Sequence, residues 1–270
     1  MNQQPETSAR DRRAPETVDG TVSEVWRYPV KSMQGELMES VDVDATGVAG
    51  DRRWAVLDRA TGRVLSARKT PQLLEAAAQL RSDGQPVLTL PNGTALIGTG
   101  EATDQALSDW LGVPAHLASE EEAGGGTVDF IVDATDDASN VVQYTTPPGR
   151  FVDVFPVLLL TTASLREGQR YYATGNWDRR RFRPNVLIDV EGDGWREDMW
   201  CNRDVSLGAA TISIERPCDR CTIVTRAQPG LPRDVEVFKA LAKHHASFLG
   251  VWGTVSRPGT IAVGDRVMPA

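Results

Sequence analysis

The sequence predicts a mainly β protein with a few helices, of the α+β class, whose strands form barrel-like domains. Short runs rich in β-branched and apolar residues dominate the chain. Glycine and proline are frequent, at 24 and 16 of 270 residues, and they divide these runs into strands and turns. Because open sheet edges are a liability, we expect the strands to close into barrels.

The predicted strands follow one another along most of the chain. Segments with alternating or continuous apolar patterns, typical of strands or hairpins, lie at 22–30, 37–47, 52–68, 86–98, 154–160, 181–190, 205–214, 221–225, 249–256 and 260–267. Turns are expected at Thr61-Gly62, Asn92-Gly93 and Pro258-Gly259, and Asn-Gly is a strong hairpin signal.

Helical patterns are fewer and shorter. Two short helices are predicted at Leu73–Leu80 and Asp104–Trp110. A third helix begins near Thr162, where Ser164 and Glu167 offer capping chemistry. The last helix, Asp234–His244, is amphipathic, and we expect His244 and His245 to cap or flank it. A polar, glycine-rich stretch over about 120–140 is typical of a linker or loop.

Composition excludes several classes of protein. A net charge of −8 argues against a general nucleic-acid binder, which is usually basic. Every apolar run is shorter than the roughly 18 residues that would indicate a membrane-spanning helix. Three cysteines and a polar N-terminus without a hydrophobic signal core predict a reducing, cytoplasmic location.

Cationic residues recur in three segments of this acidic chain. Lys31 and Ser32 follow the first strand, and Arg52 precedes a strand whose hairpin partner ends near Arg68. The segment 179–185 reads RRRFRPN and contains four arginines that border an apolar run. Ammonium and guanidinium groups bind phosphate and carboxylate, so these segments are candidates for holding an anionic ligand. Solvated charge runs are the alternative interpretation.

Cys218 and Cys221 form a C-x-x-C pair with Arg220 between them. A neighbouring cation favours the thiolate, which attacks electrophiles or binds metal. A zinc site would normally need further cysteine or histidine ligands, and a thioredoxin-type disulfide would place the pair at a helix start after a strand. Both uses fit this segment poorly, and Cys201 is interpreted as a packed or idle thiol.

Seven motifs stand in a fixed order: YPVKS (28–32), GDRRW (50–54), SARKTP (66–71), FVDVFP (151–156), FRPN (182–185), CDRC (218–221) and PGTIAVGD (258–265). Together they make the chain resemble the MOSC family, in particular bacterial relatives of the mitochondrial amidoxime-reducing component. The resemblance implies a disordered tail over 1–19, a MOSC N-terminal β-barrel-like domain over 20–143 and a MOSC β-barrel over 144–270.

The resemblance also implies a site. A molybdenum–pterin cofactor would lie between the two domains, with Cys221 as its metal ligand and catalytic residue. The cofactor-binding residues implied in this way are Lys31, Ser32, Arg52, Arg68, Asp153, Arg183 and Asn185. No role follows for Cys218. In physical terms, a thiolate suits a soft transition metal, and fixed cations suit the phosphate of the pterin.

The function implied is reduction of N-hydroxylated compounds, such as amidoximes and hydroxylamines, to amines. Electrons would come from a separate ferredoxin, flavoprotein or cytochrome, because no further cysteine cluster follows the MOSC motifs. We expect a small-molecule substrate and neither nucleic acid nor membrane as a partner. Two alternatives stay open: a sulfur carrier with a persulfide on Cys221, and a non-catalytic molybdopterin-binding protein.

One segment departs from the mitochondrial relatives. Those proteins follow the metal-binding cysteine with an acidic, threonine-rich turn, whereas residues 225–230 read TRAQPG here. We therefore expect the substrate entrance and partner docking to differ from theirs, while the metal ligand is retained.

Overall fold

The computed structural model describes residues 18–131, 141–147 and 149–270. The predicted disordered tail lies outside these ranges except for its last two residues. Much of the glycine-rich stretch predicted as a linker or loop lies outside them as well, but its first residues form a short helix, Glu120–Ala123, capped by the Ser119 side chain.

The strands of the first half are short and give way to tight turns. They are β1 (Gly20–Arg27), β2 (Glu36–Met38), β3 (Ser40–Asp44), β4 (Gly47–Val48), β5 (Trp54–Asp58), β6 (Ala77–Leu80), β7 (Pro86–Thr89), β8 (Ala95–Ile97), β9 (Ala115–Ser119), β10 (Thr127–Ile131) and β11 (Val141–Thr145). The helices of this half are α1 (Glu101–Leu111) and α2 (Glu120–Ala123).

The second half contains longer strands. They are β12 (Val157–Thr161), β13 (Val186–Asp189), β14 (Asp204–Leu207), β15 (Ala210–Asp219), β16 (Phe248–Arg257), β17 (Gly259–Ala262) and β18 (Arg266–Pro269). The helices are α3 (Thr162–Tyr171) and α4 (Val235–His245). Short 3-10 segments lie at Pro71–Glu75, Arg179–Arg181, Arg196–Trp200 and Thr222–Thr225.

A closed barrel dominates the described part of the chain. Its strands run in the order β13-β12-β16-β15-β14-β18-β1, and pairing of β1 with β13 closes the ring. The prediction of a mainly β protein with barrel closure is therefore confirmed. The interior is filled by apolar side chains that alternate inward along each strand, among them Val25, Leu159, Ile188, Ile212 and Val251.

Smaller sheets flank this barrel and carry a second core. They pair β5 with β9, β10 with β11, β7 with both β6 and β8, and β3 with both β17 and β4. Met33, Leu73, Leu88, Leu107 and Leu117 pack together among the β5–β9 sheet, the β6–β7–β8 sheet and α1, whereas the β17–β3–β4 sheet packs against the barrel core. Because β1 belongs to the barrel while the segment after it belongs to the smaller sheets, residues 28–33 run along the junction of the two cores.

Several predicted elements are confirmed. The hairpin around Asn92-Gly93 is β7–β8, and the helix predicted at Asp104–Trp110 is the core of α1. The last helix begins after Asp234, whose side chain accepts a hydrogen bond from the Glu236 backbone. The helix near Thr162 is confirmed as α3, but Thr161 rather than Ser164 supplies its capping side chain.

Three predictions of secondary structure are wrong. Leu73–Leu80 is a 3-10 turn followed by β6, because the second half of the segment pairs with β7. The expected strand at 63–68 is reduced to isolated bridges of Val64. The β-branched segment after Cys221 forms a 3-10 turn, Thr222–Thr225, in which Thr222 and Val224 are buried. In such short segments, pairing with and burial against other elements override local propensity.

Candidate functional site

A cavity of about 380 Å³ opens at the junction of the barrel and the smaller sheets. Its lining includes six cationic side chains and two carboxylates, so its field is positive. Two of those cations serve the framework: Arg181 and Arg220 donate to backbone carbonyl oxygens, Arg181 to that of Pro232 and Arg220 to that of Phe182. The cations left to act on a ligand are Lys31, Arg52, Arg68 and Arg183.

The backbone that presents these groups is strained at three places. Ser32, Arg52 and Arg183 have φ angles of 69°, 48° and 55°, in the left-handed region that residues with a Cβ seldom adopt. All three lie on the lining of the cavity. Such conformations cost of order 1–3 kcal/mol each and persist where the surrounding structure fixes them, which is common at binding sites.

Asp153 joins the cations of the two halves of the chain. Its carboxylate accepts hydrogen bonds from Lys31 Nζ at 2.6 Å, from Arg68 Nη2 at 2.7 Å and from the Tyr144 hydroxyl at 2.7 Å. Burial alone would raise the pKa of this carboxyl, but Arg68 and Lys31 hold that pKa well below its usual range. Asp153 is therefore an ionised anchor that orients the two cations.

The net pKa shifts of Lys31 and Arg68 have opposite signs, although burial acts on both in the same direction. Burial lowers the pKa of Lys31, and the nearby Arg68 lowers it further, while Asp153 opposes both effects. Burial likewise disfavours the charged form of Arg68, but Asp153 and the neighbouring Cys221 raise the pKa of Arg68 well above its usual value. The Lys31 ammonium also donates to the Phe151 carbonyl oxygen at 2.7 Å, so its position is fixed.

Arg52 and Arg183 form a second pair, around the ring of Tyr28. Their guanidinium carbons lie 5.0 and 4.4 Å from the ring centroid, within the range of cation–π attraction. Arg52 pairs with buried Asp51 at 2.5 Å, and Arg183 Nη1 donates to the Met33 carbonyl oxygen at 2.7 Å. Two cations are thus held side by side by an aromatic ring and by backbone groups.

Arg183 retains unused capacity for a ligand. Its Nη2 is buried and meets no hydrogen-bond partner among the residues that the structure describes. Burial, reinforced by the charge of Arg52, lowers the pKa of this guanidinium to about 10. A buried donor without a partner carries a desolvation cost, which an anionic group in the cavity would remove.

The cysteines differ in their access to the cavity. Cys221 is half-buried, lines the cavity and begins the 3-10 turn after β15. Cys218 also borders the cavity but is buried, and burial raises its pKa to about 12. Cys201 packs against the barrel core instead, and burial, with the charge of Asp198, raises its pKa to about 11.

The structure brings together six of the seven predicted cofactor-binding residues. Lys31, Ser32, Arg52, Arg68, Asp153 and Arg183 line the cavity, as does the predicted metal ligand Cys221. Asn185 is fully buried behind this lining, where its side-chain oxygen accepts hydrogen bonds from the Leu158 backbone and, at 3.4 Å, from Arg52. That these residues bind a cofactor stays a prediction.

The Ser32 side chain makes a hydrogen bond within the chain: its hydroxyl oxygen accepts from the Ala67 backbone N–H at 3.0 Å. This bond fixes the segment that carries Arg68. Tyr144 is one of the lining residues that sequence reasoning missed. It lies in β11, just after the stretch interpreted as a linker, and its alternating neighbours show only a strand pattern.

Residues 19–123 match the family described as MOSC N-terminal beta barrel domain, and residues 147–268 match the MOSC domain. The chain belongs to the MOSC-domain family. In family terms, the cavity lies where the MOSC N-terminal region and the MOSC domain meet, because it takes Lys31 and Arg52 from the first and Arg183 and Cys221 from the second.

Curated relatives of this MOSC-domain chain are similar over nearly its whole length. Mitochondrial amidoxime reducing component 2 of Bos taurus is 25% identical over 290 residues, which cover 92% of this chain and 82% of the relative. Mitochondrial amidoxime-reducing component 1 of Homo sapiens is 25% identical over 289 residues, with the same coverage.

Among solved structures, the YUAD protein from Bacillus subtilis aligns with 94% of this chain and 97% of its own, at 11% identity and a TM-score of 0.48. Within the described ranges, every helix falls short of the length and apolar character needed to cross a membrane.

Proposed function

We propose that this chain binds a molybdenum–pterin cofactor in the cavity and uses it to reduce N-hydroxylated compounds. The observation that carries the proposal is the meeting of one half-buried thiol, Cys221, with Lys31, Arg52, Arg68 and Arg183 in a single cavity. The names of the curated relatives, which describe amidoxime reduction, support the same substrate class.

The lining suits such a cofactor in charge and in donor chemistry. A thiolate is a soft ligand that favours a transition metal with sulfur in its coordination sphere. The pterin phosphate needs cations and N–H donors, and the buried Nη2 of Arg183 has no protein partner in the described structure. The ion pairs of Asp153 with Lys31 and Arg68 keep those two cations in place before any ligand enters.

Each residue then has a defined task. Cys221 would ligate the metal, and Lys31, Arg52 and Arg183 would hold the anionic groups. Asp153 and Asn185 would orient these cations, as they already do in the described structure. When bound, the cofactor would supply the oxygen-atom and electron chemistry, while the chain supplies orientation and electrostatics.

The overall reaction needs an external supply of electrons. Reduction of an N–OH group to N–H consumes two electrons and two protons and releases water. A separate carrier protein of the ferredoxin, flavoprotein or cytochrome type would deliver the electrons. We place this reaction in the cytoplasm.

The test is a metal and pterin inventory of protein produced in a host that makes the molybdenum cofactor. We expect molybdenum and pterin in the wild-type protein and loss of molybdenum in Cys221→Ala. Cys201→Ala is the matched control, because that thiol packs against the barrel core. Equal molybdenum in the Cys221→Ala and wild-type proteins would contradict the proposal. Reduction of an amidoxime by the loaded protein, with a chemical reductant, tests the reaction itself.

A sulfur carrier is the second candidate, because the half-buried Cys221 thiol is also open to a persulfide donor. Incubation with a cysteine desulfurase, followed by mass spectrometry, separates the two. A cyanide-labile adduct of one sulfur atom on Cys221, without bound pterin, would favour the carrier. A non-catalytic binding protein would instead show bound cofactor without turnover.

A further inference from the structure

The cavity has a second side that the cofactor residues do not use. This apolar side of the cavity consists of Val154, Phe155, Leu158, Ile223 and Trp252. The rings of Phe155 and Trp252 have centroids 6.0 Å apart and planes inclined by 46°. Together with Leu158 and Cys218 they form a small apolar cluster, separate from the clusters that fill the barrel and the smaller sheets.

The apolar side of the cavity is not simply part of the core, because some of its residues are exposed or only half-buried. Val154 is 41% exposed, although it is a large apolar residue, and Phe155 and Ile223 are half-buried. An apolar surface that borders a cavity is a typical element of a small-molecule site, where a few polar groups fix the orientation of the ligand.

A cation lies over the ring of Trp252. The guanidinium carbon of Arg216 lies 5.0 Å from its ring centroid, and Arg216 Nη1 pairs with Asp219 Oδ1 at 3.1 Å. The ring is therefore held between the Arg216 guanidinium and the Phe155 ring. A fixed aromatic surface is prepared to stack on a planar ligand with little loss of conformational freedom.

We infer that the apolar side of the cavity binds the body of the substrate, and that it selects N-hydroxylated compounds with a planar, uncharged, apolar substituent. This inference rests on the proposed function, and it assigns Val154, Phe155 and Trp252 as the residues that determine specificity. The cationic residues hold the cofactor, so the apolar residues of the same lining are left to contact the substrate. A charged substituent would lose hydration against these apolar side chains.

The experiment compares two amidoximes, benzamidoxime and acetamidoxime, which share the reacting group and differ in their substituent, phenyl in the first and methyl in the second. The cofactor-loaded protein is assayed for kcat/KM with a chemical reductant. Separately, without reductant, saturation-transfer NMR measures contact of the aryl protons with the protein. We expect benzamidoxime to exceed acetamidoxime in kcat/KM by roughly tenfold or more, since a difference of even one methylene in an apolar pocket gives 10–200-fold.

Val154→Asp is the main variant, because this exposed residue borders the cavity and can be changed at little risk to folding. Val263→Asp is its matched control, a valine that is 49% exposed and lies outside the cavity lining. We expect Val154→Asp to remove most of the preference for the aryl compound and most of the NMR signal, and Val263→Asp to change neither. Trp252→Leu, accepted only if its melting temperature and pterin content match the wild type, should lose the preference as well.

The outcomes separate this inference from the proposed function. Turnover with equal kcat/KM for both amidoximes, or an NMR signal unchanged in Val154→Asp, would overturn the inference and leave the proposed function intact. A saturation-transfer signal from the aryl protons that is lost in Val154→Asp, without turnover of either compound, would support binding at the apolar side of the cavity. It would contradict the proposed reaction.

Discussion

The ammonium group of Lys31 lies 2.6 Å from the carboxylate of Asp153, which follows it by 122 residues. This ion pair joins the turn after β1 to the loop before β12, on either side of the cavity. The same carboxylate binds Arg68, and the side chains of Lys31 and Arg68 are only 7% and 4% exposed. One carboxylate therefore compensates two buried cations.

Asp153→Asn should reduce the free energy of unfolding at pH 7 by about 2 kcal/mol. Removing one partner of a buried ion pair costs about 3–5 kcal/mol, and we expect less here because Asp153 is 33% exposed. Since the folded-state pKa of Asp153 lies well below its unfolded value of about 3.9, its contribution is present above that value. It is lost as the pH falls through the folded-state pKa.

Urea unfolding between neutral and acid pH measures this effect. The difference in free energy of unfolding between wild type and Asp153→Asn should be constant near neutral pH and should decrease at acid pH. Asp219→Asn is the control, because Asp219 pairs with Arg216 where both side chains are 47% exposed. An equal loss of stability in both variants at pH 7 would contradict the role of Asp153.

Substitution of Arg183 by glycine should reduce pterin binding with little change in stability, because the Arg183 backbone is strained. Arg183→Gly removes a left-handed conformation that costs about 1–2 kcal/mol, and this gain offsets the lost contacts with Tyr28 and Met33. We therefore expect a melting temperature near that of the wild type, together with reduced pterin content. Calorimetry and pterin fluorescence measure the two quantities.

Ala246→Gly is the matched control for backbone strain. Ala246 has a φ of 47° at the end of α4, is exposed and lies outside the cavity lining. Glycine there should stabilise the protein by about 1 kcal/mol and leave pterin content unchanged. If Arg183→Gly retained full pterin content, the assignment of Arg183 to the cofactor would be wrong.

The fold was predictable where local chemistry and tertiary context agree. Asn92-Gly93 specifies its hairpin without help from the rest of the chain, and Asp234 caps α4 with its own side chain. The two disagree at Leu73–Leu80 and Cys221–Thr225. The first segment is drawn into a sheet by β7, and the second is turned so that Thr222 and Val224 become buried.

The site was predictable through motifs rather than through spacing. Lys31, Arg68 and Asp153 are far apart in sequence, and no periodic pattern indicates that they share one carboxylate. The position of Asn185 behind Arg52, and the contribution of Tyr144, depend on how the strands pack. These relationships arise from tertiary contacts that a single sequence does not encode in any local pattern.

Protonation of His245, at the end of α4, should make the free energy of unfolding depend on pH. Its Nδ1 lies 2.8 Å from the Phe248 carbonyl oxygen and its Nε2 lies 2.7 Å from Asp198, so both ring nitrogens face acceptors. Burial lowers the pKa of this imidazole, but Asp198, with the Phe248 carbonyl and Glu197, raises it overall. The protonated ring also stacks on Trp195 at 4.2 Å.

The folded-state pKa of His245 therefore exceeds the unfolded value of about 6.5, and its contribution is complete below that value. The contribution is lost as the pH rises through the folded-state pKa. His245→Gln should lower the free energy of unfolding by about 1–2 kcal/mol near pH 6 and by less near pH 9. His244→Gln, which alters an exposed ring stacked on Tyr171, is the matched control for loss of a histidine at the end of α4. A difference in free energy of unfolding between wild type and His245→Gln that stayed constant across this pH range would contradict the ion pair with Asp198.

The three cysteines should react with iodoacetamide in an order set by access and charge. Burial raises the pKa of Cys218 to about 12 and that of Cys201 to about 11, so both thiols are protonated at pH 8. Cys221 is half-buried, faces the cavity and lies near Arg68. We expect Cys221 to be alkylated first in cofactor-free protein, as peptide mass spectrometry would show. Labelling of Cys201 or Cys218 ahead of Cys221 would contradict this order and, with it, the assignment of Cys221 as the accessible thiol of the cavity.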